Sequence, residues 1–184
     1  VVHDYGGPIA LPFVLAEPPK PKLQSNDPAE VFRAIQTLAA AKDLATAPAI
    51  LQAGFTSPHA HIAVAAGEAL AAIEADSLTQ LELGVALDKA HEAKDDASQK
   101  NLARVLGAWG HPCVDEILGL LASGRRTPEV QAEALFMAGR LFPTTEFGFP
   151  HVIQSVASAL DHGRTETIRM AACSAAARLR SPTF

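Results

Sequence analysis

The chain is poor in aromatic residues. Only 5% of its 184 residues are Phe, Trp or Tyr, and Trp109 and Tyr5 are single examples of their kinds. A core short of large rings must close on small side chains, and alanine, about a fifth of the chain, supplies them. Cysteine is scarce too. Cys113 and Cys173 cannot make a disulfide framework, and they suit buried thiols in a reducing compartment. Basic charge is not in excess, since 15 Lys and Arg face 20 Asp and Glu for a net charge of −5. A surface that tracks phosphates needs the opposite balance, so nucleic acid is not an expected partner. The basic positions Arg125-Arg126 and Arg164, Arg169, Arg178 and Arg180 make the C-terminal third the less acidic end and read as solvated charge.

Long apolar runs are missing as well. None approaches the ~18 residues that would span a bilayer, so no membrane span is expected. The stretch 9–16 is interrupted by Pro12 and has no basic lead, which disqualifies it as a signal peptide. The chain starts at Val1 rather than Met, which points to a processing boundary or an upstream segment. A cytoplasmic location is favoured, with the periplasm left open. An apolar share of 48% against 19% charged excludes a disordered polar tail.

What the sequence does hold is helix. Ala is the best helix former, and small side chains let helix axes approach closely. Residues 1–26 are the exception: Pro8, Pro12, Pro18, Pro19, Pro21 and Gly6-Gly7 forbid a helix and predict an extended arm or linker. Its Ile9, Leu11, Phe13 and Leu15 alternate with period two, as in a strap laid on a domain. From residue 27 onward the chain reads as one helical domain. Asp27-Pro28, Ser57-Pro58 and Thr127-Pro128 are helix starts, a capping residue followed by Pro in the first turn. The predicted helices are 28–42, 44–53, 58–75, 77–93, 96–109, 112–123, 128–142, 148–162 and 164–180. Short connections between them predict antiparallel neighbours.

These helices repeat. Ile62, Ala66, Leu70 and Ile73 have the spacing of Val130, Ala134, Ala138 and Leu141, and of Ile168, Ala172, Ala176 and Leu179. Ser98, Leu102, Leu106 and Trp109 fit with one polar lapse, and Val31, Ile35 and Leu38 suggest a degenerate first copy. This spacing marks one face of an α-helix, and copies recur at a helical-repeat interval. Another amphipathic helix stands between successive copies, as with Val114, Ile117, Leu118 and Leu121, or Val152, Ile153, Val156 and Leu160.

The runs Val105-Leu106-Gly107-Ala108-Trp109-Gly110-His111-Pro112 and Val114-Asp115-Glu116-Ile117-Leu118 lead into Thr127-Pro128-Glu129-Val130-Gln131-Ala132-Glu133-Ala134-Leu135. Together they resemble HEAT-like repeats, and most closely the short bacterial subtype first described in phycobilin lyases. That subtype pairs a leucine-glycine helix end with a proline-valine-arginine helix start. Here Gln131 stands where arginine is usual, while Arg169 matches in the last copy. The resemblance covers residues 27–180. It implies an all-α fold, a right-handed α-α superhelix of about four to five helix pairs (an armadillo-type solenoid). Most such repeats are non-catalytic scaffolds that bind another protein or peptide. The alternatives it leaves are a phycobilin-lyase-like enzyme subunit and a structural module of a larger polypeptide.

Catalytic and metal chemistry find little support. His59 and His61 are one residue apart at a helix start, a spacing expected to send them to different sides. Di-iron hydroxylases built on HEAT-like repeats carry several facing His-Glu pairs, whereas His91-Glu92 is the one such pair here. No glycine-rich phosphate loop, CxxC pair or nucleophile elbow occurs, Trp109 reads as core, and Cys113 reads as an unreactive thiol. No catalytic residue, metal site or cofactor is expected.

Related solenoids line their concave side with the second helix of each pair, and the candidate partner-binding residues come from there. Helix 128–142 contributes Glu129, Glu133, Phe136 and Arg140 beside its core stripe. The matching positions are His61 and Glu68 in 58–75, Arg104 in 96–109, and Ser174 and Arg178 in 164–180. A Phe among charges in register fits a partner groove. Finally, the last helix shows little polar surface around Met170, Cys173 and its alanines, where a terminal repeat is normally polar. A continuation of the array, a second copy of the chain or the N-terminal arm is expected to cover it.

Overall fold

The computed structural model describes residues 22–75, 80–92, 94–141 and 149–179. Among the described residues the fold is all-α, with nine α-helices, two short 3-10 turns and no strand. The helices are α1 (Pro28–Ala41), α2 (Ala47–Thr56), α3 (Ala60–Ala72), α4 (Gln80–Glu92) and α5 (Asp96–Trp109). They continue as α6 (Asp115–Ala122), α7 (Pro128–Ala138), α8 (Pro150–His162) and α9 (Glu166–Leu179). Helices next but one in the chain lie side by side. α1, α3, α5 and α7 each pack on the next member of the row that ends in α9, and α6 packs likewise on α8. Contacts of α2 with α3, α4 with α5, α6 with α7 and α8 with α9 join the odd helices to the even ones.

The recurring spacing in the sequence is the buried face of the odd helices. Ile62, Ala66, Leu70, Leu102, Leu106, Val130, Ala134, Ala138, Ile168 and Ala172 have no exposed surface at all. Each Leu or Ile so removed from water contributes about 1.5–3 kcal/mol. The alanines do different work, because they let adjacent helices close up. At the tightest points even a methyl group is too much. A Cβ on Gly107 of α5 would lie 2.7 Å from the Met137 Cβ and 2.9 Å from the Met137 carbonyl oxygen of α7. Trp109 is buried at the end of this same stripe, as its register predicts.

Several helix ends differ from the sequence reading. Predicted helix 44–53 divides into a 3-10 turn (Leu44–Thr46) and α2, and predicted 112–123 into a 3-10 turn (Pro112–Val114) and α6. The cause is proline: Pro48 and Pro112 lack the N–H that a helix interior needs, so each can stand only in a first turn. α3 starts at Ala60 rather than at residue 58. The Ser57 hydroxyl accepts from the His59 amide at 3.1 Å, which holds Pro58 in a turn ahead of the helix. Thr127 does not cap α7; its hydroxyl donates to Asp96 at 2.9 Å. α7 ends at Ala138, before residue 142, because Gly139 turns the chain against Ala175 of α9. Asp27 does cap α1, accepting from the Ala29 amide at 2.9 Å.

The arm predicted for residues 1–26 lies outside the described residues except at its end. There the Ser25 hydroxyl donates to Glu30 at 2.6 Å, Lys22 approaches the same carboxylate at 3.7 Å, and Leu23 packs on the core. The thiols correct an expectation. Cys113 is half-buried and Cys173 is exposed rather than buried, since no described helix packs on that side of α9. Met170 beside it is 65% exposed.

Candidate functional site

Shared register sets the candidate positions. The residue six places after the start of each stripe is Glu68 in α3, Arg104 in α5, Phe136 in α7 and Ser174 in α9. Since the odd helices stack in order, these positions form a file across the row, and Glu68, Arg104 and Phe136 each contact a further candidate. The Arg104 guanidinium meets Glu133 of α7 with two hydrogen bonds, Nε at 2.9 Å and Nη2 at 3.1 Å. A third bond, Nη1 to the Asn101 side-chain oxygen at 2.9 Å, fixes the guanidinium from its own helix. Arg140 spans farther, to Glu68 at 3.5 Å. It thus joins α3 to the turn beyond α7, with α5 packed between those two helices. Arg178 of α9 lies over the Phe136 ring, its guanidinium carbon 5.7 Å from the centroid. Phe136 itself remains 46% exposed.

Three candidates stand differently. Arg140 lies in the turn beyond α7 rather than on the helix, yet still joins the file. Glu129 is exposed in the first turn of α7 and touches no other candidate. His61 sits at the other end of the row, in an aromatic cluster. Its ring lies 5.6 Å from that of His59 and 6.4 Å from that of Phe32 on α1. This corrects the expectation that His59 and His61 diverge. His59 precedes the helix in extended backbone (φ −110°, ψ 116°), so the helical turn angle does not act between them. Among the described residues no three His, Cys, Asp or Glu side chains gather as a metal site would require.

Two contributors were missed. Phe32 follows Val31 in the degenerate first copy, at a position that matches no candidate register, so the spacing carried no signal for it. Asn101 is 5% exposed and bonds both Arg104 and the Ser57 carbonyl. A polar residue directly before the apolar run Leu102-Ala103 was its signal. Charge along the face is mixed and largely self-paired. Phe136 is the one large apolar side chain among the candidates, and it is flanked by a cation.

The even helices are tied by a different device. Asp115 at the start of α6 is buried and accepts from the Val152 amide at 2.9 Å, the His151 amide at 3.0 Å and His151 Nδ1 at 2.7 Å. It caps α8, whose own N-cap residue, Phe149, has no side-chain acceptor. Gln131 donates to the Ala122 carbonyl at 3.1 Å, and Arg169 to the Gly163 carbonyl at 2.9 Å. Each thus holds the end of the preceding helix, so Gln131 makes the contact that Arg169 makes one copy later.

No protein-family model, curated protein or solved structure matches this chain.

Proposed function

We propose that the chain is a HEAT-like α-α superhelix and a non-catalytic scaffold. It binds another protein or a peptide along the face built by α3, α5, α7 and α9. One observation carries this reading: side chains from four helices, chosen by register alone, make a connected surface around a half-exposed Phe136. In the superhelix these second helices line the concave side. The Arg104–Glu133 and Glu68–Arg140 pairs stiffen the surface, and a stiff surface loses little freedom on binding. Phe136 with Arg178 above it supplies an aromatic and arginine anchor of the type that dominates binding energy. His61, Phe32 and Glu129 extend the contact area. Recognition is by shape and by an alternation of charge, which suits a partner segment that carries both signs and one apolar side chain.

The test is affinity capture with the wild-type chain and with a Phe136→Ala, Arg140→Ala double variant. Both side chains are exposed, so the variant keeps its fold and its circular dichroism. Loss of a specific partner from the variant supports the assignment. Retention of every partner removes the face from consideration.

A further inference from the structure

The row opposite to that face contains a cleft of about 530 Å³ between α6 and α8. This volume is in the range of small-molecule sites. One side of α8 turns a wholly polar stripe into it: His151, Gln154, Ser158 and His162, spaced as neighbours on a helix face. Leu120, 40% exposed, and Gly119 form the apolar wall that faces this stripe. The open end is set by a repeated tripeptide pattern. α6 is followed by Ser123-Gly124-Arg125 and α8 ends in His162-Gly163-Arg164, so the segment after each helix contributes an arginine to the lining.

Charge in the cleft runs against the charge of the chain. The protein carries −5 overall, yet Arg125 and Arg164 line this site against the single carboxylate of Glu116, and His151 is already bonded to Asp115. Neither Arg125 nor Arg164 has an ion-pair or hydrogen-bond partner among the described residues. Guanidinium presents its N–H groups as a planar fork that matches phosphate or carboxylate oxygens. Gln154 and Ser158 are likewise unpartnered and offer neutral donors between the two cations. We infer that this cleft is a binding site for a small organic anion with two acidic groups. Those groups, phosphate or carboxylate, are carried on a partly apolar body. The lining comes from α6, α8, the segments after them and Gln131 of α7, and it includes none of the partner-face candidates.

Titration of isotope-labelled protein with fructose 1,6-bisphosphate and with suberate, at matched ionic strength, tests this by amide shifts. The expected result is saturable shifts of Gly119, Ser123, Gln154, Ser155 and Ser158, half-complete below about 1 mM for at least one of the two. Whichever binds more tightly identifies the acidic group. Fructose 6-phosphate and octanoate, with one acidic group each, should bind at least tenfold more weakly than their counterparts with two. An Arg125→Ala, Arg164→Ala double variant should lose at least tenfold in affinity, and Ser158→Leu, which fills the cleft and leaves the charge alone, should lose as much. Arg33→Ala, an exposed charge on α1, should bind as the wild type does. Absence of saturable shifts overturns the proposal. So does equal affinity in the double variant, even if its stability falls, because the arginines then serve only the helix ends they follow.

Discussion

Arg104 and Glu133 lock α5 to α7 through a two-bonded fork, with both side chains about one-fifth exposed. An exposed ion pair contributes 0–1 kcal/mol because water and salt screen it. This pair is better placed, since Asn101 holds the guanidinium in position and both groups are largely shielded. A double-mutant cycle with Arg104→Ala and Glu133→Ala, read by urea unfolding, should give a coupling energy of about 1 kcal/mol. The looser Glu68–Arg140 pair, at 3.5 Å with side chains 61% and 39% exposed, should give no more than about 0.3 kcal/mol. Equal coupling in the two pairs would contradict the geometry.

Close helix contact predicts opposite outcomes for one substitution at two glycines. Gly107→Ala gains helix propensity of about 1 kcal/mol but drives a methyl group into the Met137 backbone, which cannot step aside. Overpacking of this kind costs about 1–3 kcal/mol, so the net effect is destabilising. Gly84→Ala in α4 meets nothing within 4 Å and should stabilise by about 0.5–1 kcal/mol. Thermal unfolding of both variants decides this. A stabilised Gly107→Ala protein would show that the α5–α7 contact is looser than described.

Much of this fold was legible because a helix writes its buried face into the sequence with a fixed spacing. Ile62, Val130 and Ile168 announced equivalent faces, and each is fully buried. The same register placed Glu68, Arg104 and Phe136 on one surface. Register specifies direction, however, and not reach. That Arg140 would reach Glu68 depends on how α3, α5 and α7 stack, and that His59 would stand beside His61 depends on where α3 begins. Asp115 gave no local signal at all. Its partners, His151 and Val152, are thirty-six and thirty-seven residues away and meet it only once α6 and α8 are packed.

Removal of that buried carboxylate should be costly. Asp115→Ala leaves the first amides of α8 without an acceptor, and hydrogen bonds to a charged group contribute about 1.5–3 kcal/mol. A loss of about 2–3 kcal/mol in urea unfolding is expected, and a smaller loss for Asp115→Asn, which keeps one acceptor oxygen. A loss under about 0.5 kcal/mol in the alanine variant would show that α8 does not depend on this cap.

Acid should act on the start of α5. The Ser98 hydroxyl bonds to Asp95 and, with the Ser98 and Ala97 amides, holds its carboxyl below the ordinary value of 3.8, although partial burial works the other way. A depressed folded-state value means stabilisation that is complete above the unfolded value and lost as pH falls through the folded one. Asp95→Asn keeps a capping side chain but not the charge. The stability gap between wild type and this variant should therefore be constant at neutral pH and shrink below about pH 4. A gap that widens toward acid would contradict the sign of the shift.

The outer side of α9 can be probed through its thiol. Cys173 is exposed beside Met170, whereas Cys113 is half-buried in the turn ahead of α6. Access and thiolate character set the rate of thiol modification. In dilute native protein Cys173 should therefore react with a disulfide reagent at least about tenfold faster than Cys113. If a second copy of the chain covers α9, that rate falls as protein concentration rises, and Met170→Lys abolishes the protection. Protection of Cys173 at every concentration, unchanged in Met170→Lys, would rule out a second copy as the cover and leave an intramolecular one.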